Sequence, residues 1–168
     1  TFETGLKAIL RQDPDIIMVG ETRDAETASI AVRAAITGHL VFSTLHTNDA
    51  LSAIVRLEDM GVEPYLIANA LTGVVAQRLV RKLCIECAQV AETDAGVREY
   101  LGLPVRKVRV PKGCPCCGGT GYSGRVTVHE VVCMDRSLRR MIASKAKMEE
   151  IRRYAKEELH MKTIRENG

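Results

Sequence analysis

Two apolar runs, each ending abruptly in polar chemistry, constrain this chain more than any other feature. In DPDIIMVGETRD, residues 13–24, the run Ile16–Val19 leads into Glu21, Arg23 and Asp24. In GHLVFSTLHTNDA, residues 38–50, the run 40–42 leads into Ser43, Thr44 and His46. Short apolar runs bounded in this way read as buried strands. Between them Ala28, Val32, Ala35 and Ile36 fall on one helical stripe, with Asp24 placed as an N-cap and Gly38 as a left-handed stop. Strand, helix, strand is the unit of a parallel α/β sheet, whose ligands sit beyond the carboxyl ends of the strands. The two polar clusters therefore face one crevice, an arrangement suited to a nucleotide phosphate.

The flanking sequence continues the pattern. Leu6, Ile9 and Leu10 share a helical face, and Pro14 ends that helix before a strand over 15–19. Asn48 or Asp49 can cap a helix that turns Leu51, Ile54, Val55 and Leu57 inward and stops at Gly61, after which Pro64 opens another helix at its first position. From Leu83 to Gly124 the character shifts to Cys, Gly and Pro, marking a small inserted or appended module. RVTVHEVV then reads as a half-buried strand carrying Val126, Val128 and the pair Val131 and Val132. Two helices close the chain, one aligning Leu138, Met141 and Ile142, the other Met148, Ile151, Ala155 and Leu159. Three parts result: 1–83, 84–124 and 125–168.

Composition removes several classes of function. With 46% hydrophobic residues in 168 the chain can bury a core. Lys plus Arg number 24 against 21 Asp plus Glu, too mild a balance for a nucleic-acid footprint. Basic residues gather only locally, at Arg78, Arg81 and Lys82 and again at Arg136, Arg139, Arg140, Lys145 and Lys147. No apolar run approaches the roughly 18 residues that span a bilayer, and no basic leader or signal-like core opens the chain, so a cytosolic protein is expected.

Thiols stay reduced in that compartment, and the six cysteines read as metal ligands rather than a disulfide framework. Cys84-x-x-Cys87 and Cys114-x-x-Cys117 each supply two corners of a tetrahedral zinc site. Four sulfurs leave no open position, which makes the ion structural. CPCC also permits Cys116 as the fourth ligand; Cys117 is preferred because its spacing repeats that of the first pair. Cys133 reads as a small buried hydrophobe. The glycines of GGTGYSGR suit the tight turns of a zinc knuckle better than a phosphate loop, since no helix with a following Lys accompanies them.

On DPDIIMVGETRD, TGHLVFSTLHTNDA, GLKAILRQDPD, RLEDMGVEPYLIANAL, QRLVRKLC and GCPCCGGTGYSGR the chain resembles the ATPases that drive bacterial type II secretion and type IV pilus assembly, from Phe2 nearly to Gly168. The resemblance makes the first segment a Walker B and the second a histidine box. It implies a RecA-like α/β core with a tetracysteine zinc module and a helical tail. Because GxxxxGK[ST] does not occur in the 168 residues, it also implies the C-terminal part of such a motor, without Walker A, and a fragment inactive by itself. GETRD stands where the family has GEIRD, so Glu21 is the expected catalytic acid, orienting or deprotonating water; Thr22 in place of Ile should matter for packing. His46, past the strand end, is expected at the γ-phosphate. His39, before the strand, is carried over from the motif alone, and Arg125 is placed near the nucleotide base. ATP, Mg²⁺ and Zn²⁺ are the implied cofactors. A homohexamer at the cytoplasmic face of the bacterial inner membrane is implied, joined to the membrane through platform proteins. The tetracysteine segment favours assembly or secretion over retraction. The alternatives are a non-enzymatic docking module and a zinc-ribbon nucleic-acid binder, the latter disfavoured by mild charge and sparse aromatics.

Overall fold

The computed structural model describes residues 2–102 and 106–168. They form two compact units. The first comprises 1–76 and 130–161, the second 77–129 and 162–168.

The first unit opens with helix α1 (Phe2–Leu10), strand β1 (Ile16–Val19), helix α2 (Ala25–Ile36) and strand β2 (Leu40–Ser43). β1 and β2 pair in parallel, Ile16 beside Leu40 and Val19 beside Ser43, as the strand–helix–strand reading requires. Asp24 caps α2: one carboxylate oxygen accepts from the Thr27 amide at 2.8 Å, the other from its hydroxyl at 3.1 Å. Gly38, at φ 110°, ends the helix with the paired bonds of a Schellman stop, Gly38 N–H to the Ala35 carbonyl and His39 N–H to that of Ala34. Ile17 and Val19 bury against Ala31 and Ala34, with Leu10, Ile30 and Val41 around them. The side chain of Leu6 lies outside the described residues.

Helices α3 (Ser52–Asp59) and α4 (Pro64–Ala70) follow, the second opening on Pro64 as expected. Asp49, one of the two expected caps, accepts from the amide and hydroxyl of Ser52, the first residue of α3, both at 2.8 Å; the N-cap position itself is Leu51. Helices α6 (Arg136–Ala143) and α7 (Met148–Glu157) complete the unit. Its largest fully buried side chains are Leu51, Ile54, Ile67, Leu138, Ile142, Val19 and Val132. Several expected inward residues point out: Ile9 of α1 is exposed, and the strands expected to be buried are covered on one face only, because period two turns Ile16, Met18, Leu40 and Phe42 to the face opposite Ile17, Val19 and Val41. Ile36 and Val55 are 43% and 38% exposed, because each sits about 100° or less beyond the edge of the stripe its helix actually buries, centred on Ala31 in α2 and on Ile54 and Leu57 in α3.

Strands β3 (Gly73–Leu83) and β6 (Tyr122–Cys133) pair with each other and pass from one unit into the other. β3 has no counterpart among the sequence expectations, and β6 begins three residues before the expected Arg125. Along β6 the alternation buries Val128, Glu130 and Val132, which turns Val131 and Cys133 outward. Cys133 is thus exposed rather than buried, a consequence of period two beside buried Val132. Glu130 enters the core paired, accepting the Ala50 amide at 2.7 Å.

The second unit carries the antiparallel pair β4 (Gln89–Glu92) and β5 (Lys107–Val110), helix α5 (Ala95–Leu101), a 3₁₀ turn at Pro115–Cys117 and helix α8 (Ile164–Asn167). Arg81 lies over the Tyr122 ring, 4.0 Å from its centroid. α7 ends at Glu157, before Leu159, and α8 goes beyond the two closing helices expected.

Candidate functional site

The loops that leave β1 and β2 are fastened to each other. The Thr22 amide donates to the Thr44 carbonyl at 3.0 Å, the Thr22 and Ser43 hydroxyls are 2.7 Å apart, and the Thr44 hydroxyl donates to the Gly20 carbonyl at 2.6 Å. Thr22 is 5% exposed, so an Ile here would remove the inter-loop bond to Ser43. This staple holds Glu21 and His46 beside one another at the carboxyl ends of the strands, with Glu21 Oε1 2.8 Å from His46 Nε2 and Oε2 2.5 Å from an Arg23 guanidinium nitrogen. Hydrogen bonding from Arg23 is the largest influence on Glu21. It outweighs partial burial and, with smaller help from His46, holds the carboxyl below its ordinary value. At a strand end an ionised carboxylate can accept a proton from water, and an exposed imidazole beside it can donate to a phosphate oxygen.

His39 does not join them. It precedes β2, with Nδ1 donating to the Ala34 carbonyl at 3.0 Å, and the strand register separates it from the Glu21 end by about 15 Å at 3.3 Å per residue. It borders an open cleft of about 650 Å³ with Arg33, Glu26 and Ser29. Arg125 lies on β6, exposed.

The second cluster lies in the other unit. The sulfurs of Cys84, Cys87, Cys114 and Cys117 all lie within 4.8 Å of one another, with Cys84 to Cys114 at 3.9 Å, Cys87 to Cys117 at 3.8 Å and Cys114 to Cys117 at 3.7 Å. A tetrahedral zinc with bonds of about 2.3 Å requires sulfurs about 3.8 Å apart, so the four thiols fit that ion. Cys116 is exposed and outside the four. The loop is built for Cys117: its sulfur receives the amides of Cys114 and Gly121, each at 3.2 Å. These bonds, the one from Cys114 foremost, hold its thiol down to about 6, whereas burial pushes Cys87 up to about 11. Gly113, at φ 98°, passes so close to the Gly119 carbonyl that any Cβ would collide with it.

Arg23 and the Thr22, Ser43 and Thr44 staple were not assigned from sequence. Thr and Ser at the ends of adjoining strands were the available signal, but only the register shows which hydroxyls meet.

The chain is similar to known proteins. The type II/IV secretion system protein family matches residues 1–168. Over 168 residues the chain is 51% identical to the type II secretion system protein HxcR of Pseudomonas aeruginosa, covering all of this chain and 33% of that protein. It is 51% identical over 173 residues to the type IV pilus assembly ATPase PilB of Thermus thermophilus, covering all of this chain and 19% of the relative. Among solved structures, the pilus retraction motor PilT with bound ADP superposes with a TM-score of 0.64 at 31% identity, over 93% of this chain and 36% of that one. The Legionella pneumophila ATPase DotB, at 24% identity and TM-score 0.62 over 94% of this chain and 35% of that one, shares the fold. The chain belongs to the type II/IV secretion system protein family. It spans about a third or less of the length of these curated relatives. Among the described residues no helix is long and apolar enough to cross a membrane.

Proposed function

We propose that these residues form the C-terminal part of a RecA-like secretion or pilus-assembly ATPase. In this reading 1–83 carries the Walker B and histidine-box strands, 84–124 the zinc module, and 125–168 the closing strand and helical region. The observation that carries the proposal is the stapled Glu21–His46 pair at the ends of two parallel strands, in a chain of this family. Glu21 orients and deprotonates the water that attacks the γ-phosphate, and His46 donates to a γ-phosphate oxygen. Mg²⁺ accompanies ATP as part of the substrate. His39 and Arg125 serve the nucleotide from other positions, Arg125 near the base. The phosphate cradle must come from outside these residues, since they hold no GxxxxGK[ST] stretch, and the 168-residue chain by itself should be inactive. The complete protein works as a homohexameric ring at the cytoplasmic face of the inner membrane, reaching the membrane through platform proteins. Zn²⁺ held by Cys84, Cys87, Cys114 and Cys117 closes the second unit and takes no part in hydrolysis.

The test uses the complete ATPase. Glu21→Gln keeps the side chain's shape but loses its proton acceptor, so single-turnover hydrolysis should fall by roughly 10² or more while ATP binding survives. His46→Ala should weaken ATP more than ADP. Glu26→Gln, on the first turn of α2, should leave turnover unchanged. Near-wild-type hydrolysis in Glu21→Gln would remove Glu21 from catalysis.

A further inference from the structure

Both oxygens of Glu21 are taken, by two basic side chains with different prospects. Arg23 holds Oε2 and His46 faces Oε1. The side chains of Arg23 and His46 are 76% and 88% exposed against 22% for Glu21, and neither has another polar partner among the described residues. On the proposed function, His46 must turn its Nε2 proton to a phosphate oxygen. A single N–H at that nitrogen cannot serve the carboxylate and the phosphate together. Nucleotide therefore frees Oε1 just when water needs it. Without another restraint the Glu21 side chain, with three rotatable torsions, would then have no fixed aim.

Arg23 can supply that restraint. Its backbone is pinned on both sides, by the Thr22 amide and hydroxyl on the β2 loop and by Asp24 capping α2. We propose that Arg23 is the positioning residue for Glu21, remaining on Oε2 when His46 leaves Oε1 for the γ-phosphate, so that one oxygen is held while the other receives the proton of the attacking water. The inference rests on the role given to Glu21 above. The charged or titratable groups facing Glu21 are Arg23 from its own loop and His46 from the loop after β2; the neighbouring hydroxyls of Thr22, Ser43 and Thr44 bond to each other's loops. Of the two, Arg23 does more to hold the carboxyl below its ordinary value. The sign follows: without Arg23 Glu21 takes up its proton at higher pH, and the acid limb of hydrolysis moves up with it.

Arg23→Ala and Arg23→Lys in the complete ATPase, compared with Glu21→Gln, test this, together with a ¹³C titration of the Glu21 carboxylate in the 168-residue chain. Arg23→Ala should slow single-turnover hydrolysis about tenfold, through a misaimed carboxylate. It should also shift the acid limb and the ¹³C midpoint to higher pH and leave ATP affinity within about twofold. Arg23→Lys should restore part of each. A rate loss with neither pH readout moving would mean a merely structural arginine, and unchanged rate and pH profile beside an inactive Glu21→Gln would refute Arg23 alone. Full hydrolysis by Glu21→Gln would instead refute the reading underneath. Should Arg23→Ala fail to fold, Arg23→Gln carries the same expectations and the same refutations.

Discussion

Asp135 does at the residue scale what the strand-end staple does for the site. One oxygen caps α6, accepting the Leu138 amide at 2.7 Å, and the other accepts the Tyr154 hydroxyl of α7 at 2.6 Å. The Tyr154 bond foremost, then the Leu138 amide, holds its carboxyl below the ordinary value. A depressed folded-state value means that this stabilisation is present at neutral pH and is lost as pH falls through the carboxylate range. Asp135→Ala should cost about 1–2 kcal/mol in urea unfolding at pH 7, and the difference from wild type should shrink in acid. A constant difference down to the lowest pH would detach the effect from the carboxylate. Local partners of this kind are legible in sequence where they lie three residues away, as Asp24 to Thr27 does. Thr22 to Ser43, Asp135 to Tyr154 and Glu130 to Ala50 are not, because each bond depends on a register or a helix packing that no local pattern encodes.

Among the elements, β1, α2, β2 and the helix start at Pro64 follow from period and capping, but the burial expected of the two strands does not, since Ile16, Met18, Leu40 and Phe42 stay exposed on one face of the pair. β3 reads otherwise. Its Ala76, Leu79, Val80 and Leu83 keep helical spacing, yet the segment is extended because it pairs with β6, and Val75, Leu79 and Val80 remain exposed at 63%, 56% and 40%. The stop after α6 shows a local rule broken. Lys145 N–H bonds the Ile142 carbonyl and Ala146 N–H that of Met141, the same Schellman pattern as at Gly38, but with Lys145 at φ 55°. A side chain in the left-handed region is strained where glycine is not. Lys145→Gly should therefore stabilise the chain by about 0.5–1 kcal/mol, raising Tm by roughly 2–4 °C, while Lys145→Ala, which keeps the Cβ, should gain much less. Equal melting of the two variants would contradict this account of the stop.

For the molecule as a whole, the two units differ in what can hold them. The first buries Leu51, Ile54, Ile67, Leu138 and Ile142 completely or nearly so. Among the described residues of the second, the buried apolar side chains are Cys84, Cys87 and Val128, which is too little to offset the chain entropy of ordering its loops. The cysteine spacing was plain in the sequence; that the second unit turns few large side chains inward beside the four gathered sulfurs was not, since it depends on the fold. A closed tetrathiolate ion would supply the missing stabilisation directly, because it would bind the folded unit and not the unfolded chain. The purified chain should hold about one zinc per molecule, and Cys84→Ser, Cys114→Ser or Cys117→Ser should lose it while Cys116→Ser keeps it. Chelation should then raise amide exchange across 77–129 and 162–168 and leave the slow amides of α3, α4 and α6 protected. Uniform loss of protection in both units would show that the metal holds more than its own unit. A metal-free chain with both units protected would remove the zinc assignment altogether.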